Sequence, residues 1–140
     1  MRVALDTNVI VSAFRSRAGA SAAILSMVGS GQFEIVMSVT LALEYEAVLK
    51  RFPESVLTAD DIEDLVAFLC VNSLRCEVPA RVQPLTNDLD DEFLAALAVV
   101  SSCDCLVTHN IRHLAPLSSH GVRVVTPRQF MAIMRGQGQS

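Results

Sequence analysis

Acidic and amide side chains recur at a few places in this chain of 140 residues. They are Asp6 after the apolar run Val3 to Leu5, Glu44 and Glu46 in a helical stretch, the cluster Asp88, Asp90, Asp91 and Glu92, and Asn110 in Thr108-His109-Asn110. Like charges gathered in a partly dry cleft repel unless a cation sits between them. If the fold collects these groups at one point, a divalent metal follows, and all-oxygen ligands select Mg2+ or Mn2+ rather than Zn2+. Each residue also has a plainer role. Asp6 can cap a helix opening at Thr7 to Asn8, and Asp88 can cap a later helix whose first turn is acidic. Glu44 and Glu46, two residues apart, cannot share a helix face. Apolar neighbours flank both at helical spacing, so periodicity barely separates them. Asn110 is a common turn former. His109, His113 and His120 show no metal-ligand spacing and read as surface or loop residues.

The elements that must position these groups alternate along the chain. The uninterrupted Val3-Ala4-Leu5 reads as a strand buried on both faces of a parallel sheet. A helix follows over about Val9 to Phe14, then a loop with Arg15 and Arg17. A second helix runs from about Ser21 until Gly29-Ser30-Gly31 stops it. Phe33 to Met37 is the second strand, and Ser38 to Arg51 is helical. Thr58-Ala59-Asp60-Asp61 opens a helix to about Asn72, with Ile62, Leu65, Val66 and Leu69 at helical spacing. A weak third strand is expected at Arg75 to Val78, a loop at Ala80 to Asn87, and a helix over Asp88 to Ser101. Asp104 to Thr108 is the fourth strand, Ile111 to Leu114 a short helix, and Val122 to Val125 the fifth strand. Thr126-Pro127 opens a last helix to about Arg135. This alternation predicts an α/β chain: a three-layer α/β/α sandwich around a central parallel sheet of four to five strands. Residues 1–135 form one domain and 136–140 a flexible tail. Parallel strands deliver all their exits to one edge, so Asp6 and Asn110 become neighbours there, where ligands of open α/β sheets bind. The acid cluster, opening a helix that returns toward the start of a strand, should lie near the same edge.

Composition narrows the class. With 51% hydrophobic and 19% charged residues the chain can build a core, and disorder is not expected. No apolar run approaches the roughly 18 residues of a membrane span. Asp6 and Asn8 interrupt the amino-terminal apolar segment before it can serve as a signal peptide, which places the protein in the cytoplasm. Cys70, Cys76, Cys103 and Cys105 have no zinc spacing and read as buried free thiols. A net charge of -4 argues against a broadly basic nucleic-acid surface. Ten of the basic residues are nonetheless Arg, and only Lys50 is Lys; Arg forks grip phosphate at two points.

Five stretches in order resemble a PIN domain of the branch related to VapC, the toxin of toxin-antitoxin pairs. They are Asp6-Thr7-Asn8, the Leu43-Glu44-Tyr45-Glu46-Ala47-Val48-Leu49 helix, Asp88 to Ala96, Leu106-Val107-Thr108-His109-Asn110, and Val124-Val125-Thr126-Pro127-Arg128-Gln129-Phe130. The likeness covers nearly the whole chain. It implies a metal-dependent ribonuclease hydrolysing RNA phosphodiesters with Mg2+ or Mn2+. Its acids, carried over by position, are Asp6, Glu44, Asp91 and Asn110, with Asp88 a candidate additional ligand. Asp91 is preferred to Asp90 because Leu94 and Ala95 then stand where the family pattern has an aliphatic residue and Ala. Relatives often carry an acid at the position of Asn110 or three residues after it, where this chain has Asn110 and His113, so a fourth ligand is neutral or missing. Asn8 and Thr108 are candidates to hold Asp6 in its rotamer, and Arg15, Arg17 and Arg112 to follow the RNA backbone. The resemblance further implies a small antitoxin partner and a homodimer. The alternatives are a PIN fold that binds RNA or a partner without cutting, and a receiver-type or haloacid-dehalogenase-type α/β domain. The last two need a lysine at the site, and Lys50 lies at the far end of the helix carrying Glu44.

Overall fold

The computed structural model describes residues 1–79, 85 and 91–138. Five parallel strands form one sheet in the order β3-β2-β1-β4-β5. These are β1 (Arg2–Leu5), β2 (Glu34–Met37), β3 (Ser73–Arg75), β4 (Cys105–Val107) and β5 (Arg123–Val125). The helices are α1 (Thr7–Arg15), α2 (Ala20–Met27), α3 (Val39–Leu49), α4 (Ala59–Val71), α5 (Glu92–Val100), α6 (Ile111–Leu114) and α7 (Pro127–Gly138). The expected α/β/α sandwich around a parallel sheet is what forms.

The central strand is among the most apolar. Val3, Ala4 and Leu5 are buried, as are all three residues of β4, because helices cover both faces of a parallel sheet. From β1 the chain builds outward through β2 to the edge strand β3, then returns to the other side of β1 for β4 and β5. The order therefore reverses between β1 and β4, and a crevice opens at that reversal beyond the strand ends. Register there is explicit: Val3, Ala4 and Leu5 lie opposite Cys105, Leu106 and Val107. The ladder runs one residue further through Asp6 N–H to Val107 O at 3.0 Å and Thr108 N–H to Val125 O at 2.9 Å. The next pair across the crevice is thus Asp6 and Thr108.

Helix starts follow local chemistry. The Ser38 hydroxyl accepts Leu41 N–H at the head of α3, Thr58 and Asp61 close a reciprocal capping box on α4, and Thr126 and Gln129 do the same at α7. In α5, Leu94 to Ala98 are all buried, so this Ala-rich helix lies wedged among its neighbours. Phe33 and Phe130 meet edge to face with centroids 5.2 Å apart, joining the entry to β2 to α7.

Several expectations need correction. β3 spans Ser73–Arg75, not Arg75 to Val78, because it must pair with β2 in the register Ile35–Ser73, Val36–Leu74, Met37–Arg75. Only Cys76 N–H, bonded to Met37 O at 2.8 Å, extends it. A 3-10 turn over Ala115–His120, with Pro116 in its first turn, carries the chain from α6 to β5. α7 continues to Gly138, three residues past the expected end at Arg135. Cys103 and Cys105 are buried as expected, but Cys70 is exposed on α4. Asp88, Asp90 and most of the expected 80–87 loop lie outside the described residues.

Candidate functional site

At the reversal of strand order, Asp6 holds the N-cap position of α1, yet its carboxylate caps nothing. Its oxygens accept from side chains instead. Oδ2 takes the Thr108 hydroxyl at 2.7 Å and the Asn8 amide at 3.2 Å, and Oδ1 takes the Thr7 hydroxyl at a longer 3.3 Å. Asn8 also reaches Thr108 Oγ1 at 3.4 Å and accepts the His109 backbone N–H at 3.3 Å. Thr108 Oγ1 in turn accepts the Asn110 N–H at 2.9 Å. The network fixes a carboxylate that is only 7% exposed and leaves Oδ1 the less engaged oxygen. The capping role open to Asp6 from its sequence position is thereby excluded.

Asp91 and Asn110 show the same pattern. Each stands at the N-cap position of a helix, α5 and α6 respectively, and neither side chain caps it, although Ser38, Thr58 and Thr126 cap theirs. Asp91 is mostly buried and its Oδ2 lies 3.6 Å from His113 Nδ1. His113 is in the turn that follows Asn110, so this contact ties the head of α5 to the exit of β4. Asn110 is exposed at that exit.

The two glutamates of α3 are both half-buried and differ in their neighbours. Glu46 pairs with Lys50 at 2.7 Å on a solvated face, the behaviour of an ordinary i,i+4 pair. Glu44 is half-buried beside Tyr45, whose hydroxyl donates to the Leu5 carbonyl one residue before Asp6. Tyr45 is held well above the usual phenol range, first by burial and then by the negative charges of Asp6 and Glu44. The phenol thus feels both acids from inside the protein. Lys50, paired with Glu46, offers nothing to the lysine-dependent alternatives.

Sequence reasoning missed two contributors. Tyr45 looks like a core residue at helical spacing, and only the packing of α3 on β1 reveals its bond to Leu5. His109 reads from its sequence position as a surface residue; it is exposed, yet its Nε2 lies 3.0 Å from Ser12 Oγ and 3.4 Å from Ser21 Oγ. Arg15 borders a hollow beside the site, whereas Arg17 and Arg112 are exposed and do not line it. The Asp88 assignment falls outside the described residues.

Oxygen donors such as those of Asp6, Glu44, Asp91 and Asn110 would suit a hard dication if they met at one point. Among the described residues, no three His, Cys, Asp or Glu side chains converge as a metal-binding group. The described helices include none long and apolar enough to cross a membrane.

The chain is an α/β/α protein whose parallel sheet holds a fixed, non-capping carboxylate, Asp6, at the reversal of strand order. The PIN domain family matches residues 2–112, and the chain belongs to that family. PIN domains are in general nucleases that work with divalent metals. Among solved structures, the chain is similar to one in the VapBC2 complex of Rickettsia felis bound to a DNA fragment from its promoter. That match has a TM-score of 0.58 and 13% identity, and it covers 90% of this chain and 98% of the other. No curated protein matches the chain.

Proposed function

We propose that this protein is a Mg2+- or Mn2+-dependent endoribonuclease and the toxin of a type II toxin-antitoxin pair. The observation that carries the proposal is the state of Asp6: a buried carboxylate at a helix N-cap, positioned by Thr108, Asn8 and Thr7 and not spent on capping. Family membership supports nuclease chemistry, and the fold shared with a chain of a VapBC2 complex supports a small antitoxin as partner. A homodimer in the cytoplasm completes the proposal.

In this reading Asp6 and Asp91 hold the metal, Glu44 and Asn110 complete its surroundings, and Asp88 is a further ligand. A bound dication would acidify an attacking water and offset charge at the phosphate. The chain's own residues prepare the site. Thr108 and Asn8 hold one Asp6 oxygen and so set the carboxylate's rotamer, and the Tyr45 bond to Leu5 anchors α3, and with it Glu44, against the end of β1. Arg15, Arg17 and Arg112 supply positive charge for the RNA backbone.

One observation favours a second reading, a PIN fold that binds RNA or a partner without efficient cutting. His113 stands 3.6 Å from Asp91 where relatives often carry an acid. A fluorogenic RNA incubated with Mn2+, Mg2+ or a chelator decides between the two. Cleavage that needs the metal and disappears in Asp6→Asn supports the nuclease. Metal-independent background equal to that of Asp6→Asn leaves the binding module.

A further inference from the structure

Beside Asp6 lies a hollow of about 610 Å³, within the range of small-ligand sites. Thr7 and Asn8 form the end nearest the carboxylate, and both hydrogen-bond to it. Arg15, from the last turn of α1, and Arg51, just past the end of α3, both line it and are exposed. No carboxylate lines the hollow among the described residues, although the chain carries a net charge of -4. Neither arginine takes part in an ion pair or a side-chain hydrogen bond among the described residues. Arg2, in contrast, spends its guanidinium on the Ser101 carbonyl at 2.9 Å. Two uncommitted guanidinium forks on a lining that contains no acid suit phosphate.

Much of the remaining wall is apolar, from Val11, Val48, Phe52 and Pro53. Phe52 is half-buried and set edge-on against Phe14, with centroids 6.3 Å apart at 65°. His109 lines the same space with its ring fixed by Ser12 and Ser21. An immobilised aromatic next to phosphate-gripping cations is the combination that binds single-stranded nucleic acid, one group for the base and the other for the backbone.

We infer that this hollow is a subsite for the nucleotide next to the cleaved phosphate of single-stranded RNA, with Arg15 and Arg51 on its phosphate and Phe52 against its base. The inference deepens the nuclease proposal and rests on it for the scissile position, but binding can be read separately from cutting. The test uses full-length Asp6→Asn protein in a chelator and a fluorescein-labelled single-stranded RNA of about ten nucleotides, followed by anisotropy across a salt series. Adding Arg15→Gln or Arg51→Gln should weaken binding about tenfold and flatten the salt slope by about 0.7 each, since each arginine neutralises one phosphate. Phe52→Leu keeps the apolar packing but removes the flat face, and should weaken binding about fivefold or more with the salt slope unchanged. Arg135→Gln, exposed on the last turn of α7, should stay within about twofold, as a surface charge away from the hollow. Absence of RNA binding, or arginine variants within twofold of Asp6→Asn alone, overturns the subsite; so does competition confined to acidic peptides, which would make the hollow a protein-docking site. RNA bound through Arg15 and Arg51 by a wild-type protein that does not cut keeps the subsite and removes the nuclease. Metal-dependent cutting with RNA affinity indifferent to both arginines does the reverse.

Discussion

The Thr108 hydroxyl donates to Asp6 Oδ2 at 2.7 Å across 102 residues of sequence. Thr108 is fully buried, and its position follows from the register that sets Leu5 opposite Val107. The bond joins the two strands flanking the reversal of strand order and holds a carboxylate ready without consuming both of its oxygens. The first predictions turn on this pair.

Replacing Asp6 by Asn keeps the shape, removes the charge and turns one of the two acceptor oxygens into a donor. Metal-dependent RNA cleavage should fall by ~10²-fold or more, the scale expected when several kcal/mol of charge stabilisation is lost. Wild-type protein should melt at higher temperature with millimolar Mn2+ present, and Asp6→Asn should lose that shift. Full activity in this variant removes Asp6 from the site.

Thr108→Val removes the hydroxyl and keeps the branched shape. Leaving Asp6 Oδ2 short of its best donor costs about 1–3 kcal/mol in stability and should lower kcat by about 10- to 100-fold, as happens when a partner that orients a metal ligand is removed. KM should change little, and Thr108→Ser should restore most of the activity. A KM effect with kcat intact would place Thr108 in substrate binding instead.

Alkaline pH should destabilise the fold through groups buried in their neutral form. Tyr45 is held well above its usual value of 10.0, and burial pushes the Cys103 thiol from 9.0 up to about 11. Because both values are raised in the folded state, their contribution is complete below the unfolded values and is lost as pH rises through the folded ones. The melting temperature should therefore begin to fall above pH 9, in the window from 9.0 to about 11 for Cys103 and higher for Tyr45. Cys103→Ser should remove part of the earlier decline, about 3 kcal/mol at most, with Cys105, also raised by burial, contributing the rest, and Tyr45→Phe the later part. Identical pH profiles for wild type and both variants would contradict this account.

Gly29, between α2 and β2, has φ +84, and a Cβ there would meet Asn72 Oδ1 at 2.9 Å. Gly29→Ala should cost about 1–3 kcal/mol from the left-handed backbone alone, read as a lower midpoint in urea. Gly31→Ala has a similar φ of +88 but open space around it and should cost less.

Much of the fold was legible locally. Apolar runs, helical spacing and the Thr58 and Thr126 capping signals depend on neighbours a few residues away, and they located the strands and helices to within a few positions. The third strand was misplaced because its limits are set by pairing with β2, not by its own residues.

The site was legible in part for the same reason. The residues alone marked Asp6, the Asp88 to Glu92 cluster and Asn110 as polar groups at strand exits and helix starts, the resemblance singled out Asp91, and capping and site chemistry use the same residue types at the same positions. Glu44 and Glu46 likewise had equal claims by periodicity. Only the tertiary structure shows the partners that bear on these cases, since they lie far along the chain: Thr108 for Asp6, His113 for Asp91, and the β1 end reached by Tyr45 next to Glu44. The hollow that Arg15 and Arg51 line forms where α1 packs on α3. Local propensity is written in adjacent residues, whereas the balance of charge and hydrogen bonds in a cleft depends on which distant strands and helices the core brings together.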